Sequence, residues 1–259
     1  MLLEVKDLNI SLTSGKSVAE HISFQLDQGE MLSIVGSSGA GKTTICKAIM
    51  GLLGNAYRAD GEILFQAENL LNLPERKRQA IYGKEICLIM QNPMTAFNPS
   101  IRVGRQLEKT YLLHHGKTPR QEMQRLFAGI LQRLGLEDTQ RILNSYPFTL
   151  SGGMLQRLMI AAALMCQPSL LVADEATTAI DACNRIGLMR ELKSFCKDGM
   201  SVLFVTHDLR SASVSDRILV MDRGRIVEQG KTEQILNTPK EDYTKYLLNA
   251  CRLERREMS

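Results

Sequence analysis

The stretch Gly36-Ser37-Ser38-Gly39-Ala40-Gly41-Lys42-Thr43 constrains this chain more than any other. It fits G-x-x-x-x-G-K-[ST] without a gap. The apolar residues 31–35 before it read as a buried strand, and residues 44–50 after it read as a helix. Strand, glycine loop and helix form the context in which this motif cradles phosphate. Three glycines let successive backbone N–H groups turn inward, and the helix start adds the positive end of its dipole. Lys42 supplies a point charge for the outer phosphates, and the Thr43 hydroxyl is placed to hold Mg²⁺. A second GKS ending, Gly15-Lys16-Ser17, has Ile10 where the first glycine belongs and reads as a turn.

A chain of 259 residues can form one large α/β domain or two small ones, and either buries an adequate core. The net charge of +4 is mild, and no basic block is long enough for a nucleic-acid footprint, so no nucleic-acid partner is expected. The six cysteines (46, 87, 166, 183, 196 and 251) form no C-x-x-C pair, and four lie in apolar segments. Buried free thiols in a reducing compartment are therefore favoured over a metal site or a disulfide framework. No charged and then apolar leader follows Met1, so no signal peptide is expected. No run reaches the roughly 18 apolar residues of a membrane span. Service to a membrane would come from its cytoplasmic face, through a partner.

Along the chain, residues 2–8 and 20–26 are predicted strands about a turn at Ser14-Gly15. Residues 61–66 form another strand, 74–82 a charged helix, and 86–90 a buried strand running into Gln91-Asn92-Pro93. From about 101 to 145 the chain is rich in Leu, Gln and Arg and has no convincing strand. Residues 120–134 carry apolar side chains at helical spacing. The alternation then returns: strand 170–173, helix 182–198, strand 201–205, and paired strands 217–221 and 225–229 about Asp222-Arg223-Gly224. This pattern predicts an α/β fold with a mostly parallel sheet, added antiparallel β elements and a helical subdomain at about 95–165. A single domain would cover 1–250, followed by a basic tail at 251–259, and ligands would bind at the strands' C-terminal ends.

Other residues carry candidate chemistry. Asp174 and Glu175 end the strand 170–173, the Walker B arrangement. Asp174 would hold the Mg²⁺ shell, and Glu175 would orient or deprotonate a water; a solvated acidic turn is the plainer alternative. Ser151-Gly152-Gly153 precedes an apolar helix, with Ser151 a natural N-cap and the glycines leaving first-turn N–H groups open. That is a second phosphate-binding helix start, or a simple cap. His207 follows the strand 201–205 and could reach a γ-phosphate, although a lone strand-end histidine is more often structural. Gln91 reads as a surface amide and Asp181 as a helix cap when each is taken alone.

In this order and spacing, these residues resemble the ATP-binding subunits of ABC transporters over nearly the whole chain, from Leu3 to about Leu248. Residues 36–43 correspond to the Walker A loop, Gln91 to the Q-loop, 150–156 to the signature and 170–175 to Walker B. Asp181 falls on the D-loop and His207 on the switch histidine. The resemblance implies a sandwich dimer that holds ATP and Mg²⁺ between the Walker A loop of one subunit and the signature helix of the other. Residues 36–43 with Thr44, and Ser151, Gly152, Gly153 and Asp181, would touch nucleotide. Lys42, Gln91, Glu175 and His207 would serve catalysis, and Thr43, Gln91 and Asp174 the metal. Two transmembrane permease subunits are implied, together with a second ATPase subunit and, indirectly, an extracytoplasmic solute-binding protein. A paralogue is favoured as the second subunit over a further copy of this chain.

The motifs Met90-Gln91-Asn92-Pro93, Ala96-Phe97-Asn98-Pro99, Ser145-Tyr146-Pro147-Phe148 and Ser151-Gly152-Gly153-Met154-Leu155-Gln156-Arg157 resemble the dipeptide, oligopeptide and nickel import subfamily. The end at Ser259 leans toward nickel or a metal chelate over peptides. Three departures from the family are seen: Leu12 and Thr13 stand where an aromatic stacks on adenine, Ala176 replaces a proline, and Ile180 a leucine. A soluble ABC ATPase acting on DNA or ribosomes is the competing class, but its long coiled coils or second cassette are not seen.

Overall fold

The computed structural model describes residues 1–175 and 182–257. Among the described residues, ten strands form two sheets: β1 (Leu3–Leu12), β2 (Ser17–Leu26), β3 (Met31–Val35), β4 (Tyr57–Phe65), β5 (Glu68–Asn69), β6 (Ile86–Ile89), β7 (Leu170–Asp174), β8 (Ser201–Thr206), β9 (Arg217–Asp222) and β10 (Arg225–Lys231). The helices are α1 (Lys42–Ile49), α2 (Glu75–Ile81), α3 (Val103–His115), α4 (Arg120–Arg133), α5 (Thr139–Asn144), α6 (Gly152–Leu164), α7 (Ala182–Cys196), α8 (Leu209–Ala212), α9 (Thr232–Asn237) and α10 (Asp242–Glu257).

The larger sheet runs β10-β9-β3-β8-β7-β6, parallel from β9 to β6 and antiparallel only at β10. Its central strands are apolar on both faces, and their period of two sends alternate side chains into two different cores. Leu170, Val172, Leu203 and Val205 join the core that holds α1 and the smaller sheet. Leu171, Ala173, Val202 and Phe204 join the core built around the helical unit. Both outer strands of this sheet are shielded. β6 is four residues long and is bridged by Tyr82, while β10 presents exposed Arg225, Gln229 and Lys231.

The smaller sheet, β2-β1-β4-β5, is antiparallel throughout. In β1 the buried positions shift from odd (Leu3, Val5) to even (Leu8, Ile10). A bulge makes this possible: register slips between Val5 and Leu8, and Asp7 takes φ 43°. Opposite it, Gly61 has φ 110°, and a Cβ there would lie 2.5 Å from the Asp7 carbonyl oxygen, so the bulge requires glycine. Both β1 and β2 are longer than the sequence pattern predicts, because the bulge breaks the simple alternation.

Helices α3 to α6 form the helical unit. α4 buries Met123, Phe127, Ile130 and Leu131 at helical spacing. α6 is buried on nearly every side, with Leu155, Leu158, Met159, Ile160, Ala161, Ala163 and Leu164 in the core, so it is the unit's central helix. The unit is fastened to α7 through Arg133. Its guanidinium lies 3.5 Å from the Phe195 ring centroid and donates to Asp198 (3.0 Å) and to Ser194 Oγ (2.8 Å). α10 runs across position 250, where sequence composition suggests a tail. Among the described residues, no helix is long and apolar enough to cross a membrane.

Candidate nucleotide site

The order of the large sheet builds the site. β3, β8, β7 and β6 are neighbours and parallel, so the residues just past their C-terminal ends converge on one edge. β3 delivers the glycine loop, β8 His207, β7 Asp174 and Glu175, and β6 Gln91. Because β7 lies between β6 and β8, Glu175 is flanked by a residue from each side. Gln91 Nε2 donates to Glu175 Oε2 at 2.8 Å, and His207 Nδ1 lies 3.2 Å from Glu175 Oε1. Glu175 itself has φ 49°, a conformation that non-glycine residues rarely adopt, and its backbone N–H donates to Val205 O at 2.9 Å. Such strain recurs where a side chain must be aimed.

The glycine loop crosses the sheet edge and enters α1, which starts at Lys42, two residues earlier than the sequence suggests. Gly41 caps it at φ 97°, and a Cβ there would meet Val18 O at 2.8 Å. At Gly36 a Cβ would sit 2.2 Å from Met221 O. The loop is thus held close to β2 and β9, and Gly224 in the turn after β9 donates to Ala40 O at 3.2 Å. Ser37, Ser38, Gly39 and Thr43 are exposed, and Thr44 is half-buried. Lys42 is 4% exposed, and its Nζ donates to Gly36 O and Ser37 O, both at 2.8 Å. Burial pushes its pKa down, opposed by the charges of Glu175 and Asp174. A buried ammonium resting on two carbonyls, beside the exposed loop residues 37–39, is a donor set that fits a polyphosphate.

Thr43 Oγ1 donates to Asp174 Oδ1 at 3.1 Å, joining the start of α1 to the end of β7. Burial raises the Asp174 pKa, the Thr43 hydrogen bond opposes the shift, and the Glu175 charge adds to it. A carboxylate disfavoured in this way, next to a hydroxyl, is suited to a divalent cation. Thr43, Asp174 and Gln91 would hold Mg²⁺, which would neutralise charge on the transferred phosphoryl group. Lys42 and the loop N–H groups would bind the phosphates. Glu175 would orient or deprotonate the water, with its two oxygens fixed by Gln91 and His207.

The structure therefore brings together Lys42, Thr43, Gln91, Asp174, Glu175 and His207. Ser151 sits at the start of α6, in the helical unit. It is exposed and caps α6 by accepting from Met154 N at 3.3 Å. Among the described residues, none of the hydrogen bonds at 151–153 reaches residues 36–44. Asp181, Ala176 and Ile180 lie outside the described residues. Sequence reasoning missed Asp208, next to His207. It caps α8, accepts from Ser211 Oγ at 2.7 Å and pairs with Arg185 at 3.1 Å, joining α7 to the His207 loop. An acidic residue opening a short helix was the available signal.

A model of the ABC transporter family matches residues 19–178. The ATP-binding protein CntD of the metal-staphylopine import system of Staphylococcus aureus is 39% identical, covering 96% of this chain and 92% of its own. The oligopeptide transport ATP-binding protein OppD of Bacillus subtilis is 41% identical, covering 95% of this chain and 71% of its own. Among solved structures, the dimeric post-hydrolysis state of the ATP-binding cassette MJ0796 bound to ADP and Pi superimposes with a TM-score of 0.78 at 26% identity. It covers 89% of this chain and 99% of that one.

Proposed function

The chain belongs to the ABC transporter ATP-binding family, and from that premise we propose that it powers import of nickel or a metal chelate across a membrane. It binds Mg-ATP at residues 36–44 and hydrolyses it as the ATPase subunit of an importer, from the cytoplasmic face. Glu175, held between Gln91 and His207, is the observation that carries hydrolysis. A carboxylate fixed at both oxygens beside a phosphate cradle is poised to position an attacking water. When bound, ATP and Mg²⁺ supply the phosphoryl group and its charge neutralisation. The chain's own residues orient the water, bind the phosphates and hold the metal.

The exposed start of α6 at Ser151, in the helical unit, supports a two-subunit site, in which the α6 start of one subunit covers the nucleotide of the other. A paralogous ATPase subunit is the favoured partner, with two permease subunits and a solute-binding protein completing the transporter. The motifs at 90–93, 96–99, 145–148 and 151–157 fit the subfamily that carries either cargo, and the metal reading rests on the likeness to CntD. The likeness to OppD favours peptides as the second reading.

Uptake in cells lacking the chain separates the two cargoes. Loss of labelled nickel accumulation with peptide uptake intact supports the metal reading, and the reverse overturns it. For the partner, the purified chain is expected to be mostly monomeric with low ATPase activity that rises with the paralogue and permeases. Full activity alone, unchanged by any paralogue, would sink the heterodimer.

A further inference from the structure

The C-terminal helix reaches the nucleotide loop through one side chain. Ser37 N donates to Tyr243 Oη at 3.1 Å, a contact between residues 206 apart in sequence. Ser37 N belongs to the peptide group whose carbonyl, Gly36 O, accepts from Lys42 Nζ at 2.8 Å. One peptide is therefore fixed at both ends, by the tyrosine on its N–H and by the lysine on its C=O. The next carbonyl, Ser37 O, takes a second bond from Lys42 and one from Ala40 N.

The tyrosine is itself well placed. Glu228 on β10 accepts the N–H of Lys240 at 2.8 Å and of Glu241 at 3.2 Å, pinning the chain just before α10. Tyr243, Leu247 and Leu248 then pack on a core that includes Val35, Val220 and Ile235. Val35 is the last residue of β3 and directly precedes the loop. The hydroxyl thus rests on a strand, a cap and a helix, all attached to the sheet that carries the loop.

We propose that Tyr243 is a positioning residue for the phosphate loop, which couples the seating of the C-terminal helix to nucleotide binding. It touches no reacting atom. By orienting the Gly36–Ser37 peptide, it sets where Lys42 rests before phosphate arrives and keeps the loop in its binding shape as the ammonium moves off the carbonyls. Coupling of this kind is reciprocal: nucleotide must then steady the start of α10 as much as α10 steadies the loop.

This inference rests on the ATPase reading, and calorimetric ATP binding by the unaltered chain tests that reading by itself. Tyr243→Phe removes only the hydroxyl. It is expected to raise the ATP dissociation constant by about 3- to 10-fold, the range of one net hydrogen bond, with kcat within about twofold. Hydrogen exchange gives the second readout. In the unaltered chain, ATP is expected to slow exchange of the amides at 241–248, and in Tyr243→Phe that slowing should vanish. Leu247→Ala, which loosens the same helix but keeps the hydroxyl, is the control for mere packing. The proposal is overturned if Tyr243→Phe leaves both affinity and the nucleotide-dependent protection unchanged. It is equally overturned if Leu247→Ala reproduces the affinity loss in full.

Discussion

Replacing Glu175 by glutamine tests the hydrolytic arrangement with little change of shape. In the native chain, Oε2 accepts from Gln91 Nε2 at 2.8 Å and Oε1 faces His207 Nδ1 at 3.2 Å. A glutamine can turn its one oxygen toward Gln91 and donate its amide N–H to Nδ1 of a neutral His207. The side chain then stays in place, and what disappears is the negative charge and the capacity to take a proton. Loss of a positioned base costs about 10²- to 10⁴-fold in rate, equivalent to about 2.7–5.4 kcal/mol in the barrier. Affinity should move the other way or not at all. The Glu175 charge supports the buried Lys42 ammonium, and without it the phosphates become the main compensating charge. The assay is phosphate release by the assembled transporter, paired with calorimetric ATP binding by the same variant. Turnover within about threefold of the unaltered protein would remove Glu175 from this role. Lost binding would show instead that the loop itself depends on that charge.

Three further outcomes follow from the same geometry. Burial already disfavours the Asp174 carboxylate, so Asp174→Asn should raise the melting temperature of the nucleotide-free chain while abolishing the extra rise given by Mg-ATP; a lower apo value would contradict this. Asp208 is pushed up by burial but held below the ordinary carboxylate range by Ser211, the Arg210 N–H and Arg185. Its contribution is full above the unfolded pKa of about 3.9 and is lost as pH falls through the lower folded value, because the unfolded chain then binds more protons. Asp208→Asn should therefore cost about 1–3 kcal/mol in urea unfolding at neutral pH, and the difference should shrink in acid. Thr13→Tyr should tighten ATP binding by about 0.5–1.5 kcal/mol if its ring stacks on adenine, and an unchanged dissociation constant would place the base elsewhere.

The parts of the molecule written in short stretches of sequence were legible. The glycine loop, the acidic end of β7 and the serine cap of α6 each announce themselves within eight residues, because each marks the end of a strand or the start of a helix. Adjacency of strands was not legible. Nothing near Gln91 or His207 reveals that β6 and β8 flank β7, and each residue alone looks like an ordinary surface group. The bulge at Asp7 was hidden because it reverses the very alternation used to find strands. Tyr243 was hidden for another reason: a hydroxyl meeting an amide 206 residues away leaves no local pattern. The start of α1 was missed by two residues, since Gly41 at φ 97° caps the helix by backbone shape alone, without a side-chain signal.

The guarded margins of the large sheet also have a consequence for crowding. An open β edge is a template on which a second chain can add a strand, and a long apolar one seeds aggregates. Here one margin is only four residues long and is closed off by the Tyr82 bridge. The other carries Arg225, Gln229 and Lys231 toward solvent. Two chains meeting at high local concentration therefore find no long backbone ladder to extend along either margin of this sheet. Encounters along those margins are left to side-chain surfaces, which can separate again.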